Sequence, residues 1–459
     1  MSSNFFKFKT RKLNLDFLDN NLKRFSPNIS GNLEKDKKKF TKYWKESKDF
    51  INKLKSKNNK HKDLKKSIKD LYFCNQITKK IFLNQYSSKI YKLLTNDLKN
   101  FIRVENLVYE VNKFIPFLTP TKEDVLKENN LSLKNKDGIE IDQGIFLSSI
   151  LSNKNEGNHL CESMLKPSKL ALLNKELFEK EGFVDFKGAT IQTYGNHNLI
   201  TLDNKDFLNA EDENTLYPFE AAVDLATLEK NNLICVLRGT KVKHKKYKNQ
   251  RIFGSGINLT HLYEGKISFL WYIIREMGAV HKVFRGISEK NQKESALFPN
   301  NEKIWIGAVD NFAIGGGCQY LLVMDHIIAD KKSYMTLPAR KEGIIPGAAN
   351  LRLWRFVGDR TARQAIQNGL TIKADSEKGK LICDEVVSNK DIDKALNKTI
   401  NAYCNSGVVG AAFNRRALRL GQESIDNFRE YMSLYCHDQA YCHFSKELIN
   451  NLEKFWLKS

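Results

Sequence analysis

The sequence predicts an α/β fold with a helical domain ahead of it and further helices behind. Three observations carry this. Positions 33–115 contain neither Gly nor Pro, and their apolar residues recur at helical steps. From about residue 183 short apolar runs alternate with helical stretches. Past residue 400 the chain reads as helical again. The expected units are a helical domain over 1–182, an α/β core over 183–400 and a C-terminal helical region over 401–459.

In the first unit, Ile90, Leu94, Leu98, Phe101 and Ile102 recur at steps of three and four, the period of an amphipathic helix. Pro116 and Pro120 break that pattern, and Asn/Gly-rich turns follow near 133–157. Helices are expected over 142–151 and 168–181. In the core, residues 189–194 and 198–202 read as a hairpin across Gly195-Asn196-His197, and 218–229 as a helix. Residues 233–239, 251–254 and 304–309 read as strands, and 318–324 as a helix.

The chain has 459 residues, 41% of them hydrophobic, enough to bury a sizeable core. No apolar run is long enough to span a bilayer. The N-terminus has no apolar stretch followed by a small-residue cleavage site, so no secretory signal is expected. Eight scattered cysteines without a CxxC pair suit reduced thiols, hence a cytoplasmic setting. The Cys436-His437 and Cys442-His443 pairs lack the spacing of known zinc sites, and no metal is expected. Net charge is +22, and residues 1–100 hold 26 Lys+Arg against 9 Asp+Glu. Such an excess can attract nucleic acid, but these lysines surround the helices without interleaved stacking aromatics. A solvated surface is the preferred reading.

The chemistry is expected at two glycine turns. In Ile314-Gly315-Gly316-Gly317-Cys318-Gln319, three glycines at a strand-to-helix junction let backbone approach a ligand and leave N–H groups free. Arg251-Ile-Phe-Gly-Ser-Gly256-Ile257-Asn258-Leu259 is a second Gly-containing turn upstream.

Together these turns resemble the signature of the crotonase (enoyl-CoA hydratase) family. The Leu208-Asn209-Ala210 turn, the Asp325–Asp330 strand, Pro338 and Gly343-Ile-Ile-Pro-Gly347 extend the resemblance over about 185–400. It implies a spiral of ββα units and an acyl-CoA thioester as substrate. It also implies an oxyanion hole from the backbone N–H groups of Ile257 and Gly316. Membership implies a homotrimer or hexamer. Family hydratases place glutamates where this chain has Gln319 and Ala339. Neither an amide nor a methyl group acts as a general base, so ordinary hydration is not expected. Glu342, three residues past Ala339, reads as a loop-capping carboxylate at least as readily as a catalytic one.

One crotonase subfamily shares these departures, the cofactor-independent oxygenases of (3,5-dihydroxyphenyl)acetyl-CoA from phenylglycine biosynthesis. The resemblance includes Glu140–Leu147, Leu208–Asp212, Glu220–Ala226, Ile273–Gly278, Ile314–Gln319 and Glu342–Arg352. It implies dioxygen as co-substrate and no metal or organic cofactor. It places Glu211, Arg275 and Gln319 against the aromatic ring, with Glu211 and Gln319 among the catalytic groups. Lys205, His244 and the 251–258 segment, with Gly256, Ile257 and Asn258, would follow the coenzyme A. Gly315, Gly316 and Gly317 would frame the thioester, and Gln439 would lie in a late helix over the site. From the residues alone Arg275 also reads as a structural ion pair, Glu211 as a helix cap, and Lys205 and His244 as plain surface. Two other functions stay open: another acyl-CoA reaction such as hydrolysis or isomerisation, and an RNA-binding homologue motivated by the basic N-terminal segment.

Overall fold

The computed structural model describes residues 27–56, 62–288, 302–405 and 407–456, and the expectations for residues 1–26 lie outside these. Ten strands are present among them: β1 (Phe183–Asp185), β2 (Ala189–Tyr194), β3 (His197–Leu202), β4 (Ile234–Gly239), β5 (Ile304–Val309), β6 (Phe312–Ile314), β7 (His326–Asp330), β8 (Tyr334–Thr336), β9 (Ile372–Lys373) and β10 (Glu385–Val387). Seven form one sheet in the order β1-β2-β3-β4-β5-β7-β10, and β6-β8-β9 form a small second sheet. The β1, β2 and β3 strands pair antiparallel, and β3 through β10 of the large sheet run parallel.

The period of two explains why the central strands are apolar throughout. Cys235, Leu237, Trp305 and Val309 point into one core, shared with the helices over 213–228 and 316–321. Ile234, Val236, Ile306 and Ala308 point into the other, against Ile392, Ala395, Leu396 and Ile400. A parallel sheet covered on both faces requires this. The helix carrying the second cover runs over Ile392–Asn405, so the core layer continues past residue 400, the expected boundary. The boundary at 182 falls on the left-handed Gly182 that ends the helix Lys169–Glu181.

The helices before and after the core share a single apolar cluster. Phe146, Ile150 and Leu160 meet Phe428, Met432 and Cys436, together with Phe269 and Ile273 of the core. Two turns expected as irregular are helical. Thr121 and Asp124 form a capping box that starts Lys122–Asn129. The helix Lys154–Leu165 takes in the end of the Asn/Gly-rich stretch, and its Gly157 serves close packing: a Cβ there would meet the Arg429 side chain at 2.7 Å. The core helix expected from Pro218 begins at Glu213, set by the Asp212–Thr215 capping box, with Pro218 inside it.

Buried charge also ties the layers. Lys282 binds Glu220 and Asp224 at 2.7 Å each, and Arg103 reaches Glu220 from the N-terminal helices at 2.8 Å. Glu423 accepts two bonds of 3.0 Å from Arg352 and one of 2.6 Å from Arg355. Arg352 also reaches Glu276 at 3.1 Å. Burial alone would raise the Glu423 carboxyl, but these arginines hold it down at about 2. A carboxyl depressed in the fold stabilises above its unfolded value near 4.5, and that stability is lost as pH falls towards 2. Removing one partner of such a pair leaves buried guanidinium uncompensated. Glu423→Gln is therefore expected to cost about 3–5 kcal/mol in urea unfolding at pH 7. It should also flatten the stability change between pH 4.5 and 2, measurable by repeating the titration across that range.

Candidate active site

The two glycine turns lie side by side. Residues 251–254, expected as a strand, make single bridges only: Arg251 to Lys241 and Gly254 to Ala313. Just beyond it the chain turns at Gly256, which is left-handed, at φ +82°. A Cβ on Gly256 would lie 3.1 Å from the Ile314 carbonyl and 3.5 Å from the Gly316 nitrogen. A Cβ on Gly317 would lie 2.9 Å from the Gly254 carbonyl. Only glycine lets the two backbones approach this closely.

Glu211 ties both turns together. Its N–H donates to the Gly256 carbonyl at 2.7 Å, and its carbonyl accepts from Asn258 N–H at 2.8 Å. Its side chain passes beneath the second turn, where a Cβ on Gly316 would sit 2.0 Å from Glu211 Oε1. There it accepts two bonds from Arg275, at 2.7 and 2.9 Å, and one from the Tyr320 hydroxyl at 2.8 Å. Asp212, not Glu211, caps the following helix. Arg275 donates further to Gln319 Oε1 at 2.7 Å and to the Gly316 carbonyl at 3.0 Å. Burial alone would lower its pKa, but the adjacent Glu211 carboxylate outweighs that and holds it above the usual guanidinium range.

A cavity with about 460 Å³ of empty space, its mouth included, opens beside the turns. Ile257, Gly315, Gly316, Gln319, Arg275 and Glu276 line it. Leu337, Ala339, Glu342, Ile344, Ile345 and Pro346 also line it, with Trp271, Tyr272 and Tyr435. The N–H groups of Ile257 and Gly316 donate to no protein acceptor among the described residues. Gln319 spends its carbonyl on Arg275, an assignment made from the bonding network, which leaves its NH₂ as the group free to donate.

Glu211, Asn258, Gln439, Lys205 and His244 are not among the residues that line this cavity. Glu211 lies behind its wall, locked on Arg275. Asn258 caps the short helix Leu259–Tyr263 and binds Asp212 at 3.0 Å. Gln439 accepts from Ile345 N–H at 2.9 Å, so it supports the loop that forms the apolar wall. Lys205 pairs with Asp203 at 3.0 Å, and its carbonyl accepts from Lys243 N–H, next to His244. Neither Lys205 nor His244 lines the cavity; both lie in exposed turns, that of His244 rich in lysine. Cys436, His437, Cys442 and His443 diverge around their helix: His437 meets Asp438 and Lys80, whereas His443 faces Tyr272. No group of three His, Cys, Asp or Glu suited to a metal occurs among the described residues.

Two carboxyls in the cavity were not assigned there from sequence. Glu276 follows Arg275 at the start of a π-turn, Glu276–Val280, which brings two consecutive residues to one wall. Burial raises its carboxyl against the pull of Arg352 and Arg275. Glu342 is raised by burial to about 7. No sequence signal separates it from an ordinary capping glutamate, since its position depends on how the loop folds back.

The enoyl-CoA hydratase/isomerase family model matches residues 198–423. The (3,5-dihydroxyphenyl)acetyl-CoA 1,2-dioxygenase of Amycolatopsis orientalis is 37% identical over 375 residues, which cover 82% of this chain and 85% of that protein. The 2,3-dehydroadipyl-CoA hydratase of Escherichia coli is 25% identical over 49% of this chain and 79% of its own. Among solved structures, an enoyl-CoA hydratase from Bacillus halodurans matches 58% of this chain and 99% of its own, at 18% identity and a TM-score of 0.45. By sequence the chain belongs to the enoyl-CoA hydratase/isomerase, or crotonase, family.

Proposed function

We propose that this protein is a cofactor-independent oxygenase of an arylacetyl-CoA, with (3,5-dihydroxyphenyl)acetyl-CoA as the substrate. The observation that carries this is one cavity holding two free N–H donors beside Gln319 and Ala339, where family hydratases have glutamates. The extended similarity to the Amycolatopsis enzyme supports the same reading.

The Ile257 and Gly316 N–H groups serve as the oxyanion hole. They stabilise charge that develops on the thioester oxygen as the α-proton leaves, and their positions are fixed in advance. The arylacetyl α-carbon is acidified by both carbonyl and ring, so an enolate is accessible. The enolate gives one electron to dioxygen, and the resulting radical and superoxide join in a new Cα–O bond. The terminal peroxide oxygen attacks the thioester carbonyl, and the C–S bond breaks to release coenzyme A thiolate. The O–O bond then breaks as the remaining α-proton leaves, giving the arylglyoxylate. Both atoms of dioxygen enter the acid, and the oxidised carbon is Cα. The apolar wall of Leu337, Ile344, Ile345 and Pro346 keeps water from the enolate. Gln319 NH₂ donates to a ring hydroxyl. Lys205 and His244 belong to a basic rim for the coenzyme A phosphates.

Two measurements test this. In an oxygen electrode, purified metal-free protein should consume one dioxygen per coenzyme A released, with label from ¹⁸O₂ in the product acid. Equal thioester turnover under strict anaerobiosis, yielding the arylacetate, would instead identify a hydrolase. The second concerns Gln319. Gln319→Leu should lower kcat/KM for the dihydroxy substrate by about ten- to a hundredfold relative to unsubstituted phenylacetyl-CoA, because a buried hydroxyl loses its partner at about 1–3 kcal/mol. An equal loss on both substrates would remove Gln319 from ring recognition.

A further inference from the structure

We propose that Glu342 is the general base that takes the α-proton from the bound thioester. This rests on the acyl-CoA reading of the cavity, and it does not depend on the oxygen chemistry that follows.

Neither family glutamate position supplies a base here, so the proton needs another acceptor. The cavity offers two carboxyls. Glu276 is compensated by Arg352 at 3.1 Å and Arg275 at 3.6 Å. Its Oε1 accepts from Arg352, and the two guanidiniums favour its carboxylate over the protonated form. Glu342 differs. Among the described residues no hydrogen bond or ion pair reaches its carboxylate, and it lines the cavity with Ile257 and Gly316.

The backbone that presents Glu342 is clamped. It ends the four-residue helix Ala339–Glu342, which closes on left-handed Gly343 at φ +83°. A Cβ on Gly343 would lie 2.9 Å from Leu448 Cα, so the helix Lys446–Phe455 packs directly on this turn. A side chain held on such a turn, with no protein partner, keeps its lone pairs for a ligand.

Its surroundings set the proton affinity. Burial is the cause of the rise to about 7, with no charged neighbour contributing. The titratable groups sharing the cavity are Tyr272, Arg275, Glu276 and Tyr435. Tyr272 bonds to His443, a histidine that burial lowers to about 3 and keeps neutral. On the same turn Arg340 and Lys341 are exposed, as are Lys446, Glu447 and Lys454 on the helix behind. Glu453 of that helix is bound to Tyr263. On the packed helix Trp354–Asn368, Arg355 is bound to Glu423, Asp359 pairs with Arg363, and Arg360 is exposed. A base of near-neutral proton affinity suits abstraction of a carbon acid proton at neutral pH. In the step itself the Cα–H bond breaks, the proton passes to Glu342, and the electron pair enters the enolate held by the two N–H groups.

The test separates deprotonation from oxidation. Exchange of the α-protons of an arylacetyl-CoA for deuterium is followed by NMR under anaerobiosis. The wild-type rate should rise with pH and level off above about 7. Glu342→Gln should slow exchange at least about a hundredfold. Binding of a non-exchangeable thioether analogue should be retained. Glu342→Asp, which keeps the carboxylate, should recover part of the rate and the pH dependence. Exchange in Glu342→Gln within about threefold of wild type, or a folded Glu342→Asp that binds the analogue without exchange, would overturn the assignment. A wild-type protein that exchanges α-protons but consumes no dioxygen would sink the oxygenase reading and leave Glu342 as the base. Normal oxygen consumption by Glu342→Gln would do the reverse.

Discussion

The Glu211–Arg275 pair is the constraint on which the rest of the site depends. Two glycine turns from separate parts of the chain must be held in register, and glycine itself supplies no side chain to do so. Glu211 does it with backbone and side chain at once. Its peptide groups fasten the Gly256–Asn258 turn, and its carboxylate lies beneath Gly316. Burying two charges is costly unless every lone pair and N–H is occupied. Here Tyr320, Gln319 and the Gly316 carbonyl complete the set. The Tyr320 ring also lies 4.5 Å from the guanidinium. Positioning and electrostatic compensation are therefore one structure: the group that neutralises Glu211 also orients the second turn.

How Arg275 reaches that place follows from its helix. The apolar helix Phe269–Arg275 runs into the π-turn Glu276–Val280, whose residues are all buried. In a regular α-helix consecutive side chains diverge by about 100°, which would send one of Arg275 and Glu276 away from the cavity. The wider turn lets both line it. Glu276 then carries the charge network outward through Arg352 to Glu423, near the start of the helix that covers the N-terminal layer. The added helices are thereby joined to the site by ion pairs as well as by apolar packing.

Sequence periodicity exposed the local parts of this architecture. The apolar runs of β4 and β5 could only be strands covered on both faces, and the β2–β3 hairpin was set by its two-residue Gly195-Asn196 turn. The glycine turns were legible because close backbone approach leaves a mark in composition. What stayed hidden depends on long-range contact. Gly157 looked like a turn residue, yet its role is to admit Arg429. The 251–254 segment is apolar enough for a strand, but Gly239 lets the Ile252 backbone press so closely that regular pairing stops at a bridge. Glu211 read as a cap or a ring contact, and no local pattern could show that Arg275 comes from sixty-four residues away. Glu342 was equally opaque: only the fold sets it in the cavity wall without a partner among the described residues.

The amide at 319 makes physical sense within this network. Arg275 already faces Glu211 at hydrogen-bond distance and Glu276 at 3.6 Å. A third carboxylate on the same guanidinium would add a further negative charge to a buried wall, with strong pressure to take up a proton. An amide satisfies the guanidinium through its oxygen without adding charge, and its nitrogen remains a donor toward the cavity. Loss of a hydratase carboxylate at this point and gain of a directed donor are thus a single change. With alanine at 339, the lining carboxyl without a protein partner among the described residues is that of Glu342. An enolate formed there would face two N–H donors, a neutral amide and an apolar wall, so its charge would be held at the oxygen.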